Sequence, residues 1–278
     1  MKLLLVFLIP SVVLLAFGGG ILFWAVVSQI RFFSYFKNRD PHPPALGILG
    51  WIDFYKETLL GAYKLLWWSV RGAFQAGPRR PEGEPTGRLV LCVHGLFMNS
   101  SSMWGIRQRL ESRGRPTRGV FMGVPLPTPM TYLQPLARVM RELAREFPEE
   151  GFDIVAHSIG GVMIREVLRQ NPGLADKIHQ IVTLGAPHHG TAVVRWIKFG
   201  PIYTMLSLQS QYLQELDDFR ILAPQAVATT VGSLHDLVVY PVEACHLEDT
   251  RQVSLETISH LGLMTQKRAL DEVEKALA

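Results

Sequence analysis

The stretch FDIVAHSIGGVMIREVL, Phe152 to Leu168, decides how this chain is read. Its first part, Phe152 to Ala156, is apolar apart from Asp153 and short enough to be a buried strand. From Gly160 to Gln170 the pattern is helical, with Val162, Val167 and Leu168 on one side and Arg165, Glu166 and Arg169 on the other. Ser158 therefore stands where a strand turns sharply into a helix. A turn of this kind pushes the serine hydroxyl out above the sheet edge. It also demands small neighbours, which Ala156 and Gly160 supply, while Gly161 lets the helix approach its strand. The elbow reads A-H-S-I-G, with alanine where the usual G-x-S-x-G pattern has its first glycine. The helix N-terminus offers N–H groups and a positive dipole end, which suit a developing oxyanion. Ser158 has two open roles, nucleophile or side-chain cap of the helix. A nucleophile needs a base, an acid to orient that base, and oxyanion donors from elsewhere in the chain.

The donors are expected after the first strong strand. Arg88 to Val93 reads RLVLCV, and HGLFMNSSSMW, His94 to Trp104, follows directly. A strand that ends in His-Gly-apolar before a helix suits half of an oxyanion hole, because the glycine lets backbone N–H groups turn inward. The backbone N–H groups of Leu96 and Ile159 are the expected donors, with Phe97 the alternative to Leu96. Helices follow over Met103–Arg113 and Tyr132–Phe147, the second with Leu136, Val139, Met140 and Leu143 on its buried face. Between them TRGVFMGVPLP, Thr117 to Pro127, reads as a strand entering a proline-rich loop, and Ile178 to Leu184 is a further strand. Strands alternating with helices predict the α/β class, with a mainly parallel sheet covered on both faces.

The acid and the base are expected late in the chain. PQAVATTVGSLHDLVV, Pro224 to Val239, is a strand and then a loop, and Asp236 lies just past the strand. An acid there can accept a histidine N–H and hold its tautomer; a turn-forming Asx role is the alternative. Asp217, Asp218, Glu243 and Asp249 follow no strand so directly. RQVSLETISHLGLMT, Arg251 to Thr265, gives a short strand, a loop and a helix, with His260 in or just after the loop. As general base, His260 would take the Ser158 proton and return it to the leaving group. The order Ser158, Asp236, His260 favours His260 over His235, His246 and His157, and His157 lies inside the elbow. GAPHHGT, Gly185 to Thr191, puts His188 and His189 in a tight turn. They read as pocket lining, with catalysis or metal binding the lesser alternative, since no metal-spaced pattern is present. The expected substrate-pocket residues are His94, Gly95, His157 and His188, and no metal or organic cofactor is expected.

Composition sets the outer bounds. The 278 residues are 48% hydrophobic and 19% charged, enough for one α/β domain with an appendage. The net charge is +4, yet no Lys/Arg block is interleaved with aromatics, which argues against nucleic acid and leaves a membrane surface as the basic chain's partner. Cys92 and Cys245 form no metal-spaced pair; Cys92 reads as a buried thiol, and a disulfide between the two stays open. Leu3 to Ile30 contains no charged residue, longer than the roughly 20 apolar residues that span a bilayer. Ala25-Val26-Val27 is a poor cleavage site, which favours an uncleaved anchor over a signal peptide. Lys2 on one flank and Arg31, Lys37 and Arg39 on the other leave the orientation open. Trp51 to Phe74 is helical, and its charges exclude a second span. Tyr63, Trp67 and Trp68 suit a membrane interface, with packing on the catalytic domain equally open. AGPRRPEGEPTG, Ala76 to Gly87, is a linker. The expected organisation is an anchor over 1–31, an interfacial helix and linker over 32–87, and a catalytic domain over 88–278.

HGLFMNSSSMW, VAHSIGG, LGAPHHGT, GSLHDLVV and SHLGL, in that order, together resemble a bacterial serine lipase/esterase of the α/β-hydrolase superfamily. The resemblance runs from Arg88 to the C-terminus and leaves the N-terminal third unexplained. It implies an α/β-hydrolase fold, a mostly parallel sheet flanked by helices, and carboxylic-ester hydrolysis through an acyl-enzyme. It also implies that the apolar region 192–223 forms a cap over an acyl pocket, with a plain buried helix pair the alternative of equal composition. With an N-terminal transmembrane helix, the expectation is a single-pass serine esterase or lipase of the bacterial inner membrane, acting on a lipid or acyl ester at the bilayer. An acyltransferase or thioesterase using the same triad, and a non-catalytic hydrolase-fold scaffold, are the alternatives. The side of the membrane and the oligomeric state stay open.

Overall fold

The computed structural model describes residues 27, 29–30, 32–37, 43–72, 86–123, 128–196, 200–208 and 210–278. Most of the expected anchor and most of the linker lie outside these residues. Among the described residues no helix is long and apolar enough to cross a membrane.

Among the described residues six strands form one sheet in the order β2-β1-β3-β4-β5-β6: β1 (Leu89–Val93), β2 (Thr117–Gly119), β3 (Phe152–His157), β4 (Ile178–Leu184), β5 (Val227–Ser233) and β6 (Arg251–Leu255). Every adjacent pair is parallel. Parallel strands need crossovers, and helices on both faces bury them, so β1 and β3 are buried along their whole length. One charge sits inside this layer. Asp153 is fully buried and ion-paired with Arg88 and Arg115, which offsets the cost of desolvating it.

The chain runs from β1 to its outer neighbour β2, then returns across β1 to start β3 and continues outward to β6. Strand order reverses between β1 and β3, and the crevice beyond their C-terminal ends is where open α/β sheets bind ligands. Val93 is in register with Ala156, so the loop after β1 and the elbow after β3 emerge side by side.

Among the described residues the helices with full bounds are α1 (Ile48–Gly72), α2 (Trp104–Glu111), α3 (Leu133–Glu146), α4 (Ile159–Gln170), α5 (Gly200–Leu206), α6 (Gln211–Gln214), α7 (Phe219–Leu222) and α8 (Lys267–Ala276). Leu136, Met140 and Leu143 of α3 are buried as expected, while Val139 lies at the margin of the core. Of Arg165, Glu166 and Arg169 on the polar side of α4, only Arg169 is exposed: Arg165 and Glu166 are both 1% exposed. The segment 211–222 folds over that side, where Leu213, Leu216 and Phe219 join the main core. Arg165 lies beneath it and donates to the carbonyl oxygens of Leu216, Asp217 and His188 and to Asp218. Met205 and Leu206 of α5 belong to the same core, so much of the expected cap region packs into the domain.

Helix α1 packs on the turn Ser100–Met103 and on Gly262–Met264. Phe54, Thr58, Ala62 and Leu65 form its buried face, and Trp68 rests on Gly105, where an added Cβ would lie 3.1 Å from the indole. The opposite face leaves Leu49, Ile52, Leu60, Tyr63 and Trp67 exposed. One face of this helix thus packs on the domain, as one of its two readings expects, and the other carries an exposed apolar stripe at helical spacing. Cys92 and Cys245 are buried free thiols, and burial pushes the Cys92 pKa up to about 12.

Candidate active site

Ser158 has φ 55° and ψ −134°, a conformation that costs energy for any residue with a Cβ. Its side chain makes no capping hydrogen bond to α4, so the alternative role offered by the sequence is not the one adopted. The backbone is held by the sheet: Ser158 N–H donates to the Leu184 carbonyl at 2.8 Å. The crowding behind the elbow explains the glycines. A Cβ on Gly160 would lie 2.8 Å from the His94 carbonyl oxygen, and one on Gly161 2.7 Å from the Ala186 Cβ. Ala156, in place of the first glycine, is buried in register with Val93 and Thr183.

Across the crevice, the Gly95 Cα faces the elbow so closely that an added Cβ would lie 3.0 Å from the Ser158 Cβ. Beyond it Phe97 takes φ 56°, and its N–H donates to the Tyr132 hydroxyl at 3.2 Å. That engagement weakens Phe97 as an oxyanion donor. None of the described hydrogen bonds uses the Leu96 N–H, and Ile159 opens α4, where an N–H has no partner within the helix. Tyr132 was not legible as part of the site, because only the fold carries it to this loop.

Asp236 and His260 come together from the loops after β5 and β6. His260 Nδ1 lies 2.6 Å from Asp236 Oδ2, and both residues are buried. The other carboxylate oxygen accepts the N–H groups of Val238 at 2.7 Å and Val239 at 2.9 Å. Asp236 thus fills both roles the sequence allowed, turn former and histidine acceptor. An acceptor at Nδ1 puts the proton there and leaves Nε2 with its lone pair. The His260 ring neighbours the elbow: its centroid is 4.5 Å from that of His157, and a Cβ on Gly185, next to Leu184, would lie 3.1 Å from its Nδ1.

Of the competing acids, Asp218 is engaged with Arg165 and Asp249 with Arg220. His246 bonds Thr230 and Ser254. Of the expected pocket residues, Gly95 borders Ser158, while the His94, His157 and His188 imidazoles are fully buried behind the site. His94 Nδ1 meets the Gly95 carbonyl at 2.8 Å and Nε2 accepts Met122 N–H at 3.3 Å, so this ring braces the loop after β1. His157 Nε2 donates to the His260 carbonyl oxygen at 3.1 Å. His188 Nε2 meets the Thr183 hydroxyl at 3.0 Å, under the N-terminal turn of α4. Among the described residues no group of three His, Cys, Asp or Glu could hold a metal.

These three rings make the fold acid-sensitive. Burial drives the His94 pKa from the ordinary 6.5 down to about 4. Burial, with His260 nearby, holds His157 well below the usual range, and burial with the Arg165 guanidinium does the same to His188. The unfolded chain binds these protons near pH 6.5 and the native chain only at much lower pH. Stability is therefore retained above about pH 6.5 and lost as pH falls from there toward about 4. The melting temperature should decline through that window; a flat profile down to about pH 5 would mean that the rings titrate normally.

The family model described as PGAP1-like alpha/beta domain matches residues 121–268, more than half of the chain. Among solved structures, the chain is similar to Bacillus licheniformis lipase BlEst2 in its mature form, with 15% identity, a TM-score of 0.60, and coverage of 72% of this chain and 96% of that one. It is also similar to Aspergillus fumigatus lipase B, with 15% identity, a TM-score of 0.60, and coverage of 74% of this chain and 57% of that one. At such identities the likeness is one of fold, that of the α/β-hydrolase superfamily. The chain spans little more than half of the Aspergillus lipase. No curated protein matches it in sequence.

Proposed function

This chain belongs to the PGAP1-like alpha/beta domain family, and from that premise we propose that it is a membrane-anchored serine hydrolase that cleaves lipid or acyl carboxylic esters. The observation that supports this most is the 2.6 Å bond by which Asp236 holds His260 Nδ1, with the His260 ring beside the elbow that carries the strained, non-capping Ser158. His260 Nε2 takes the proton as Ser158 Oγ attacks the ester carbonyl. The Leu96 and Ile159 N–H groups receive the oxyanion. The tetrahedral intermediate collapses, the alkoxide leaves with the proton from His260, and an acyl-Ser158 remains. Water, deprotonated by His260, then releases the acid and restores the serine. A fluorophosphonate, which phosphonylates an activated serine, tests the assignment on the wild type and Ser158→Ala.

The membrane part of the proposal rests on the uncharged run Leu3–Ile30 and on the exposed apolar face of α1, where Ile48 and Leu49 are 82% and 77% exposed. The stripe ends in Tyr63 and Trp67, residue types that favour the bilayer interface. Replacing Ile48, Leu49 and Ile52 with Gln should slow hydrolysis of a vesicle-embedded long-chain ester at least about fivefold, since part of the buried apolar area is lost. Turnover of a soluble short-chain ester should not change. Equal losses on both substrates would remove α1 from the membrane contact.

A further inference from the structure

His235 precedes the proposed acid, and the reaction above does not use it. Its imidazole is nevertheless buried, 1% exposed, with both nitrogens engaged. Nε2 donates to the Pro44 carbonyl oxygen at 2.9 Å, and Nδ1 accepts the Thr257 N–H at 3.2 Å. One ring thus joins three pieces of chain: the segment entering α1, the Asp236 loop, and the turn that leads to His260. Thr257 is a β-branched residue at φ 60°, an outlier that persists only if its surroundings hold it. The His235 bond is one of those constraints. Burial lowers the proton affinity of His235, which keeps one nitrogen a donor and the other an acceptor.

The segment before α1 grips the same loop at its other end. Phe32 and Phe36 close on Tyr240 with ring centroids 5.3 and 6.4 Å away, and Trp51 meets the His235 ring edge-on at 6.1 Å. Leu237 is buried in this aromatic cluster. The Asp236–His260 bond spans two loops, and its geometry depends on their relative position. Besides that bond, Ser233 Oγ to the Ile258 carbonyl at 2.6 Å and His235 to Thr257 cross the same gap.

We propose that His235 is a positioning residue: it holds the His260 turn in register with the Asp236 loop, and it makes that register depend on the segment that joins the apolar N-terminus to the catalytic domain. The proposal rests on the triad reading above. It would make the residues that reach this loop from the N-terminal side, Phe32, Phe36, Pro44 and Trp51, a working part of the site.

Three substitutions in the full-length chain separate the two bonds. Asn keeps an acceptor near Nδ1 for Thr257, Gln keeps a donor that reaches Pro44, and Ala keeps neither. The readouts are kcat and KM for a soluble nitrophenyl ester, the rate of fluorophosphonate labelling, thermal stability, and the downfield proton resonance of the His260–Asp236 hydrogen bond. His235→Ala should lower kcat and the labelling rate about 10- to 100-fold with KM unchanged, as for a misplaced base. Its downfield resonance should be lost. His235→Asn should recover most of the rate, and His235→Gln less. A folded His235→Ala variant with the native labelling rate and an intact resonance would overturn the proposal, as would losses that follow thermal stability alone. If His235→Ala does not fold, the Asn and Gln variants decide: equal labelling rates refute the positioning role. The resonance reports the bond whether or not an ester is cleaved. A wild type that shows the resonance but never labels sinks the hydrolase reading, while loss of the resonance in His235→Ala still supports the clamp.

Discussion

Ser158→Ala should abolish fluorophosphonate labelling and lower kcat by about 10⁴-fold or more, the scale seen when a catalytic serine is removed. The same variant should keep its melting temperature. A serine that caps a helix loses about 0.5–2 kcal/mol on substitution by alanine. Ser158 makes no such capping bond, so alanine removes nothing that the fold uses. The strain at φ 55° remains in Ser158→Ala, but Ser158→Gly relieves it and should raise stability by about 1 kcal/mol. Activity and stability thus move in opposite directions, which is how strain retained for function behaves. A labelled Ser158→Ala protein would mean that another nucleophile reacts. An unlabelled but clearly destabilised one would return Ser158 to the capping role.

Much of the fold was readable because its strands are short apolar runs with sharp ends. Ile178–Leu184 has the bounds its sequence predicts, and Phe152–His157 differs only by the residue before the elbow. The nucleophile, acid and base candidates could be ranked by chain order, because Ser158, Asp236, His260 is the Ser–acid–His order of the α/β-hydrolases that the chain resembles. The burial of Arg165 and Glu166 on the polar side of α4 was not legible for a physical reason. Local periodicity shows Arg165 and Glu166 only as charges, but a segment about 50 residues later folds over them and supplies carbonyl and carboxylate partners to Arg165 and the Tyr212 hydroxyl to Glu166. Likewise nothing local distinguishes a pocket histidine from a buried brace. His94, His157 and His188 sit in motifs that point to the site, and only tertiary contacts reveal that each ring is fully buried. Helix α1 was ambiguous in sequence because apolar residues lie on both of its faces, and only the tertiary contacts reveal which of them pack on the domain.

Asp236→Asn and Asp236→Ala should be nearly equal in activity and unequal in stability. In the native protein one carboxylate oxygen is committed to the Val238 and Val239 N–H groups and the other to His260. Asparagine has one oxygen and one NH₂ for these two places. Turning the NH₂ toward the turn would set it against two backbone donors, so the oxygen stays there and the NH₂ faces His260. The imidazole then presents its lone pair at Nδ1 and its proton at Nε2, toward the serine, where a base is needed. The wrong tautomer costs kcat about 10⁴-fold. Alanine removes the orienting group altogether, and the loss in rate should be similar. It also leaves the two backbone N–H groups without the acceptor they had, at about 1–3 kcal/mol each if water cannot reach them. The Asn variant should therefore melt close to the wild type and the Ala variant well below it. Comparable rates with separated melting temperatures would tie the orienting and turn-forming roles to different oxygens of one carboxylate. An Asn variant with near-native kcat would show that His260 does not depend on Asp236 for its tautomer, and Asp236 would then be a turn residue only.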